Sequence, residues 1–497
     1  MSKQNIDAKA LKLAKALKNG HNWKQLAKWH DDGYFALTTD DIGDLPVRLF
    51  LTASLLADLE DIIYRQIVNA TRFPGVRMVV ITPDTHFGYG VPVGCVLITD
   101  YAAGAIAMGP VGYDIGCGMM SAKSDVSVDE ATPEKRLEFN RLVMQGVSMG
   151  AGGASHKLGQ VSKTEFEKLI RGGAEYYVKS YGASFDRTRA ERHCIPVDDD
   201  WQVPYGGAGR PERGMNQIGS LGAGNHFIEL QHAKETGTLF VQVHTGSRGF
   251  GHGLATNYFE IAKNERPEST TDIDLGYFTP DSKHYKSYLN AVAAGGNFAI
   301  LNRLVIFEQV AEAFKKVFKQ DLHLFYEISH NLVQKEWHPD FDDVWVHRKG
   351  ATRAFPAGYP ALKGTQWEKT GHPVLIPGSN KDWSYILRPL AGAVKSGFSV
   401  NHGAGRRLSR GEASRQLSQH AMDEAYRKAG VVVNMDGHVP LDEAAPAYKS
   451  STEVVKAVVN AGLAEIEYTL WPLASLKGTD ERRPKRDNKP KKTSQHH

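Results

Sequence analysis

Six segments of the sequence pair a histidine or cysteine with glycines at the end of an apolar run. Asp84-Thr85-His86-Phe87-Gly88 follows Arg77–Ile81, and Asp114-Ile115-Gly116-Cys117-Gly118 follows a glycine-rich strand. Asn225-His226 follows Gly219–Gly224, His244-Thr245-Gly246-Ser247-Arg248 follows Leu239–Val243, and His330-Asn331 follows Leu324–Ser329. His402-Gly403-Ala404-Gly405-Arg406 closes the series after Phe398–Asn401. A side chain at the end of a strand, beside a turn, can point into a shared cleft. The i, i+3 spacing of Asp114 and Cys117 can aim a carboxylate and a thiolate at one point. With His226, His244 and His330 the set suits Mn, Zn, Fe or Co, and a thiolate can bridge two divalent ions. Singly, each residue has a plainer reading: a lone cysteine is usually a small core residue and a strand-end histidine a satisfied polar group. Recurrence of the pattern favours the metal, but the residues alone leave both readings open.

Anion-binding pieces lie nearby in sequence. Gly403-Ala404-Gly405-Arg406 offers unhindered backbone N–H groups and a guanidinium. The run from Arg348 to Arg353 places Arg348, Lys349 and Arg353 within six positions, and Pro377-Gly378-Ser379 adds a turn with a hydroxyl. Cations beside glycine-rich turns are what a polyphosphate needs; a solvated charge run is the alternative. No G-x-x-x-x-G-K-[ST], H-E-x-x-H or C-x-x-C occurs, which removes the main sequence support for several enzyme classes.

The elements that must position these residues are mixed. Helical periodicity is expected over 7–18, 49–70, 133–146, 163–180 and 409–428, and over 285–318 with a break at Gly295-Gly296. Buried strands are expected at 77–81, 91–99, 105–108, 227–230, 239–244, 322–328, 344–347, 373–376 and 384–388, with a long loop over 195–216. Strands and helices do not alternate steadily, so the expected class is α+β rather than a doubly wound sheet. The division expected is an N-terminal helical segment (1–75), a catalytic domain (76–478) and a basic, disordered tail (479–497).

Charge narrows the function. The 497 residues carry 60 Lys+Arg and 56 Asp+Glu, a formal net charge of +4. The nineteen residues from Thr479 hold seven basic and three acidic side chains, which leaves 53 of each sign in residues 1–478. A uniformly basic nucleic-acid-coating protein is excluded, whereas local basic grooves are not. The 49 glycines have no G-X-Y period, so collagen is excluded as well. Three cysteines, Cys95, Cys117 and Cys194, fit a reducing compartment rather than a disulfide framework. With no signal-like apolar core and no run of 18 apolar residues, no membrane span is expected and the expected location is the cytoplasm.

Taken in order, the segments closely resemble the RtcB-type RNA ligases from about residue 80 to 478. The resemblance rests on Pro83-Asp84-Thr85-His86, Gly112–Gly118, Gly224–Glu229, His244–Gly249, Ser329-His330-Asn331, His347–Arg353, Pro377–Ser379, His402–Arg406, Asp442–Lys449 and Lys477-Gly478. It implies the family's α+β fold with mixed sheets around a central metal-containing cleft. It also implies GTP- and Mn²⁺-dependent joining of an RNA 3′-phosphate or 2′,3′-cyclic phosphate to a 5′-hydroxyl, through a GMP–histidine intermediate and an activated RNA(3′)pp(5′)G end, in RNA repair or tRNA splicing. By motif, Asp114, Cys117, His226, His244 and His330 would hold two Mn²⁺ ions with Cys117 bridging, and His402 would take GMP. Asn225, Glu229, Asn331, Pro377, Gly378, Ser379, Ser384, Gly403, Ala404, Gly405, Tyr448 and Lys477 would contact the nucleotide. Arg248, Arg348, Lys349, Arg353 and Arg406 are the RNA-phosphate candidates. A monomer with a possible archease-type activator is expected. The sequence departs from the family pattern at Asn380-Lys381 after Ser379. That departure motivates the alternative of a metal-dependent cyclic-phosphate end-processing enzyme without ligation. A non-enzymatic RNA-end binder acting through the tail is a third reading.

Overall fold

Valine- and isoleucine-rich runs buried on both faces make the two central strands of the first sheet, Val76–His86 and Val93–Asp100. A computed structural model describes residues 17–190, 194–267 and 272–478. The helix expected over 7–18 lies almost wholly outside the described residues, and the tail from Thr479 lies outside them entirely. The first sheet has seven strands in the spatial order Ala27–His30, Tyr34–Leu37, Val47–Leu49, Val76–His86, Val93–Asp100, Asp342–Lys349 and Asn331–His338. The stretch before residue 76, expected to be helical, therefore contributes three strands as well as the helices Ala53–Asp58 and Ile62–Ala70. Val47–Leu49 pairs in parallel with Val79–Ile81, so the first sheet spans residues on both sides of 75/76.

The second sheet runs His323–Ser329, Gly118–Ser127, Thr238–Thr245, Phe227–Ala233, Ala464–Leu476, Ser384–Pro389 and Val374–Ile376, with Val432–Val433 paired to Ala464–Leu476. Helices cover one face. Chief among them is Tyr285–Phe318, 34 residues and buried on nearly all sides. Among the described residues it is the one helix long and apolar enough to cross a membrane, and 94% of its most apolar window is buried within the protein, as in a core helix.

Gly295 and Gly296 do not break this helix. Their role is a close approach. A Cβ on Gly295 would sit 2.9 Å from Ile115, and one on Gly116 would sit 2.8 Å from the Ala299 Cβ and 3.0 Å from the Gly296 Cα. The helix is bare at this level so that the Asp114–Cys117 turn can lie directly on it. The region read as one helix over 409–428 is two, Arg410–Gln416 and Gln419–Lys428, each started by a serine cap.

Candidate metal and nucleophile site

The register of the second sheet brings the distant motifs together. Gly118 pairs with Thr245 and with Ser329, while Phe227 and Met119 both pair with His244. Because neighbours are antiparallel, two strands begin and two end at this edge. Cys117 and His226 precede strands that start there; His244 and His330 lie at strands that end there. His330 is the single residue between Ser329 of one sheet and Asn331 of the other, so the site lies on the seam between the sheets.

The ligand atoms form two groups that share Cys117. Cys117, His244 and His330 make one; Asp114, Cys117 and His226 make the other, and the atoms within each lie within 4.8 Å of one another. The Cys117 Sγ is 3.3 Å from His244 Nε2 and 3.7 Å from His226 Nε2. His226 Nε2 is 3.1 Å from Asp114 Oδ2, and the Nε2 atoms of His244 and His330 are 3.3 Å apart. His226 Nδ1 donates to the Leu221 carbonyl and His244 Nδ1 to the Asn225 carbonyl, each at 3.0 Å. These bonds put a proton on Nδ1 of each ring and make Nε2, beside the thiol, the nitrogen that a metal ion would take in place of a proton. Lone pairs this close repel unless a cation lies among them, so the donor set fits divalent metal. Burial, then the charge of His226 for His244 and of His402 for His330, holds both well below the usual imidazole range, which keeps them neutral. Burial opposes ionisation of Asp114, but the hydrogen bond and charge of His226 outweigh it and bring the carboxyl down to about 2. The Ser247 N–H also donates to it at 3.0 Å. Burial, then Asp114, pushes the Cys117 thiol up; a cation beside it would reverse that by favouring the thiolate.

His402 enters from the short strand Ser399–Asn401, and its ring centroid lies 4.8 Å from that of His330, edge to face. Its Nδ1 is in ion-pair contact with Asp84 Oδ2 at 2.6 Å. The same carboxylate oxygen accepts the backbone N–H groups of His402 and Gly403, both at 3.1 Å. Thr82 donates to the other oxygen at 2.6 Å. Asp84 is fully buried; despite burial, the charge of His402 keeps its carboxyl below the usual range. With Nδ1 turned to Asp84, Nε2 is the imidazole nitrogen left to react. The sequence displayed Asp84 in its first motif but gave no sign that it would meet a histidine 318 positions away.

The structure alters the reading of the Gly403–Arg406 turn. The N–H of Gly403 is held by Asp84, and a Cβ on Gly405 would lie 2.0 Å from the Asp84 carbonyl oxygen. The glycines serve the approach of this turn to Asp84 rather than a free backbone cradle. Ala404 is buried beside them. The other residues expected around a nucleotide form linked groups. Glu229 accepts from Gln231 Nε2 at 2.7 Å; Gln231 reaches Ser384 Oγ at 3.1 Å; Ser384 accepts the Gly378 N–H at 2.9 Å. Pro377 and Ser379 are buried at the same turn. Asn225 is exposed beside the metal group, and Asn331 braces it, donating to the Asp114 carbonyl at 3.2 Å and accepting the Gly350 N–H at 2.7 Å. Asn380 is buried and accepts from the Tyr426 hydroxyl, which accepts the Ala445 N–H at 2.9 Å. The departure at Asn380 is thus part of a wall.

Three of the five RNA-phosphate candidates, Arg348, Lys349 and Arg353, are buried, contrary to expectation, and Arg248 is half-buried. Arg348 is buried against Glu336, donating to its Oε2 at 2.9 Å and to Ser399 Oγ at 2.9 Å. Lys349 donates to the carbonyls of Tyr89 at 2.6 Å and Val91 at 3.1 Å, and burial lowers its ammonium to about 8. Arg353 is buried over the Phe355 ring at 4.4 Å. Arg248 donates to the Gly150 carbonyl at 2.9 Å and Ser220 Oγ at 3.3 Å. A short run of charge shows that cations are present and says nothing of burial. Arg406 keeps partial exposure. With Arg410 and Lys477 it surrounds the buried Glu443, at 3.2, 3.1 and 3.7 Å. Three cations face one acid there, and Tyr448 joins through Arg406 at 3.1 Å. Sequence reasoning missed Arg410 and Glu443.

Fold and site together define a class: an α+β protein with a buried, metal-competent Asp–Cys–His cluster beside an oriented histidine, equipment suited to group transfer. The comparisons make this specific. Residues 66–478 match the family model described as tRNA-splicing ligase RtcB. The chain is 35% identical over 466 residues to the tRNA-splicing ligase RtcB of Pyrobaculum aerophilum, covering 87% of this chain and 95% of that protein. It is 33% identical to that of Thermococcus kodakarensis, over 87% of this chain and 95% of the relative. It is 34% identical to the RNA-splicing ligase RtcB of Mycobacterium tuberculosis, over 83% of this chain and all of the relative. The chain belongs to the RtcB family, and it is an RNA ligase.

Proposed function

We propose that this ligase uses GTP and two Mn²⁺ ions to join an RNA 3′-phosphate or 2′,3′-cyclic phosphate end to a 5′-hydroxyl, with GMP carried on His402. The observation that carries the reading is the pairing of His402 Nδ1 with buried Asp84, 4.8 Å ring to ring from a metal-competent histidine. Asp84 holds the imidazole so that the Nε2 lone pair can attack the α-phosphorus of GTP. A P–N bond forms, the bond to the bridging oxygen breaks, and pyrophosphate leaves. A cyclic end is first opened by water, which breaks its P–O2′ bond and leaves a 3′-phosphate; GMP then passes to that 3′-phosphate, and the 5′-hydroxyl attacks the activated end and expels GMP. Asp114, Cys117, His226, His244 and His330 would hold the metal. Bound there, divalent cations offset developing negative charge on phosphoryl oxygens. The donor set would also accept Zn or Co. The three cations around Glu443 suit the phosphates of nucleotide or RNA.

Labelled GTP and Mn²⁺ are expected to give an acid-labile GMP adduct on the protein and none on His402→Ala. Absence of adduct with every divalent metal would remove this reading. Glu229 adds a pH signature. Burial raises its carboxyl to about 7. It is protonated below that value and ionised above it, and only the ionised form can accept two N–H groups from a guanine edge. GTP affinity is therefore expected to rise through pH 7, by roughly tenfold from pH 6 to pH 8. Glu229→Gln should flatten that rise; titration of GTP binding across this range checks it.

A further inference from the structure

Exposed aromatic side chains lie near His402 and the candidate metal group. Tyr89 is 56% exposed, three residues beyond His86, whose ring centroid is 6.5 Å from that of His402. Three extended residues reach about 10 Å at most, so the Tyr89 backbone lies within that distance of His86. Its ring meets Tyr113 edge to face at 6.3 Å, and Tyr113 directly precedes Asp114. The exposed His252 stacks on Tyr113 at 5.3 Å.

The loop under Tyr89 is independently informative, because an exposed ring has no need of such rigid support. Buried Gln66 donates to the Gly88 carbonyl at 2.6 Å and accepts the Gly88 N–H at 3.1 Å. Asn69 donates to the Gly90 carbonyl at 2.8 Å. Lys349 holds the carbonyls of Tyr89 and Val91. A Cβ on Gly90 would sit 2.9 Å from the Asp274 carbonyl oxygen, so this loop is also clamped from outside. Asp274 in turn accepts the Tyr113 hydroxyl at 2.8 Å. A fixed ring with an open face suits a flat, uncharged partner, whereas the acid beside it disfavours a phosphate. Unpaired nucleobases are recognised by stacking on such rings.

We propose that Tyr89, backed by Tyr113 and His252, is a stacking platform for an unpaired nucleobase of the RNA end entering the site. This rests on the ligase reading above and names a subsite for its substrate. The test uses a 3′-phosphate RNA carrying 2-aminopurine at its terminal nucleotide. The full-length protein should quench its fluorescence, and Tyr89→Ala should lose most of the quench and raise the KM for RNA about tenfold. Tyr89→Phe should restore both, and matching melting temperatures would show the variants folded. Equal quench and equal KM in Tyr89→Ala and the parent would overturn the platform. A parent that forms no GMP adduct would remove the ligase reading instead, and the quench comparison, which needs no turnover, would still decide the platform.

Discussion

Cys117→Ala is expected to lose the metal, and with it adduct formation and RNA joining together. The two candidate ligand groups have this residue alone in common. Its sulfur lies within 3.7 Å of an imidazole nitrogen from each. Removing one histidine would leave the other group intact, whereas removing the thiol takes a donor from both. The remaining His244 and His330 are neutral donors, kept so by burial, and supply no negative charge to replace that of the thiolate. Alanine fits the space, being smaller than the cysteine it replaces, which is only 4% exposed. The fold should therefore survive. The measurement is metal content after equilibration with Mn²⁺, alongside adduct yield. A variant that retains two equivalents like the parent would show that the thiol does not bridge.

The sequence made the candidate ligand residues visible because each lies at the end of an apolar run, and that local pattern survives without any knowledge of topology. Their convergence was not visible. It depends on Gly118 pairing with both Thr245 and Ser329, a register set by sheet packing across more than two hundred positions. The cations show the opposite case. Arg348 and Lys349 alternate along Asp342–Lys349, a strand buried toward this end, where ion pairs and carbonyls replace solvent. Composition cannot separate that from an exposed groove. Gly295-Gly296 was misread for a similar reason, since glycine within a helix signals either a break or a close contact, and only the position of Ile115 decides. One overlooked signal was within reach: Arg303 is a lone charge among Phe298, Leu301, Leu304 and Phe307 in an apolar helix. A charge in such a place needs a partner.

That arginine underlies the second large effect. Arg303 is fully buried on Tyr285–Phe318 and donates to Glu327 Oε1 at 2.6 Å. Its other nitrogens reach the Gly116 carbonyl at 2.7 Å, the Thr245 carbonyl at 2.8 Å and Ser329 Oγ at 2.8 Å. Those three residues adjoin Cys117, His244 and His330, so one planar guanidinium ties three ligand-bearing segments to the core helix. Arg303→Met should take the guanidinium from the buried Glu327 and cost about 3–5 kcal/mol of stability, read as a lower midpoint of chemical unfolding. Pairing it with Glu327→Leu should recover much of that loss, since an apolar pair replaces a broken ionic one. Metal binding should behave differently. The carbonyls of Gly116 and Thr245 remain untethered in the double variant, so its Mn²⁺ affinity should stay some 10–100-fold below the parent's, as for other lost supports of metal ligands. Recovery of stability and affinity together would make the guanidinium a partner of Glu327 only. Recovery of stability alone would locate its effect in the spacing of the metal ligands.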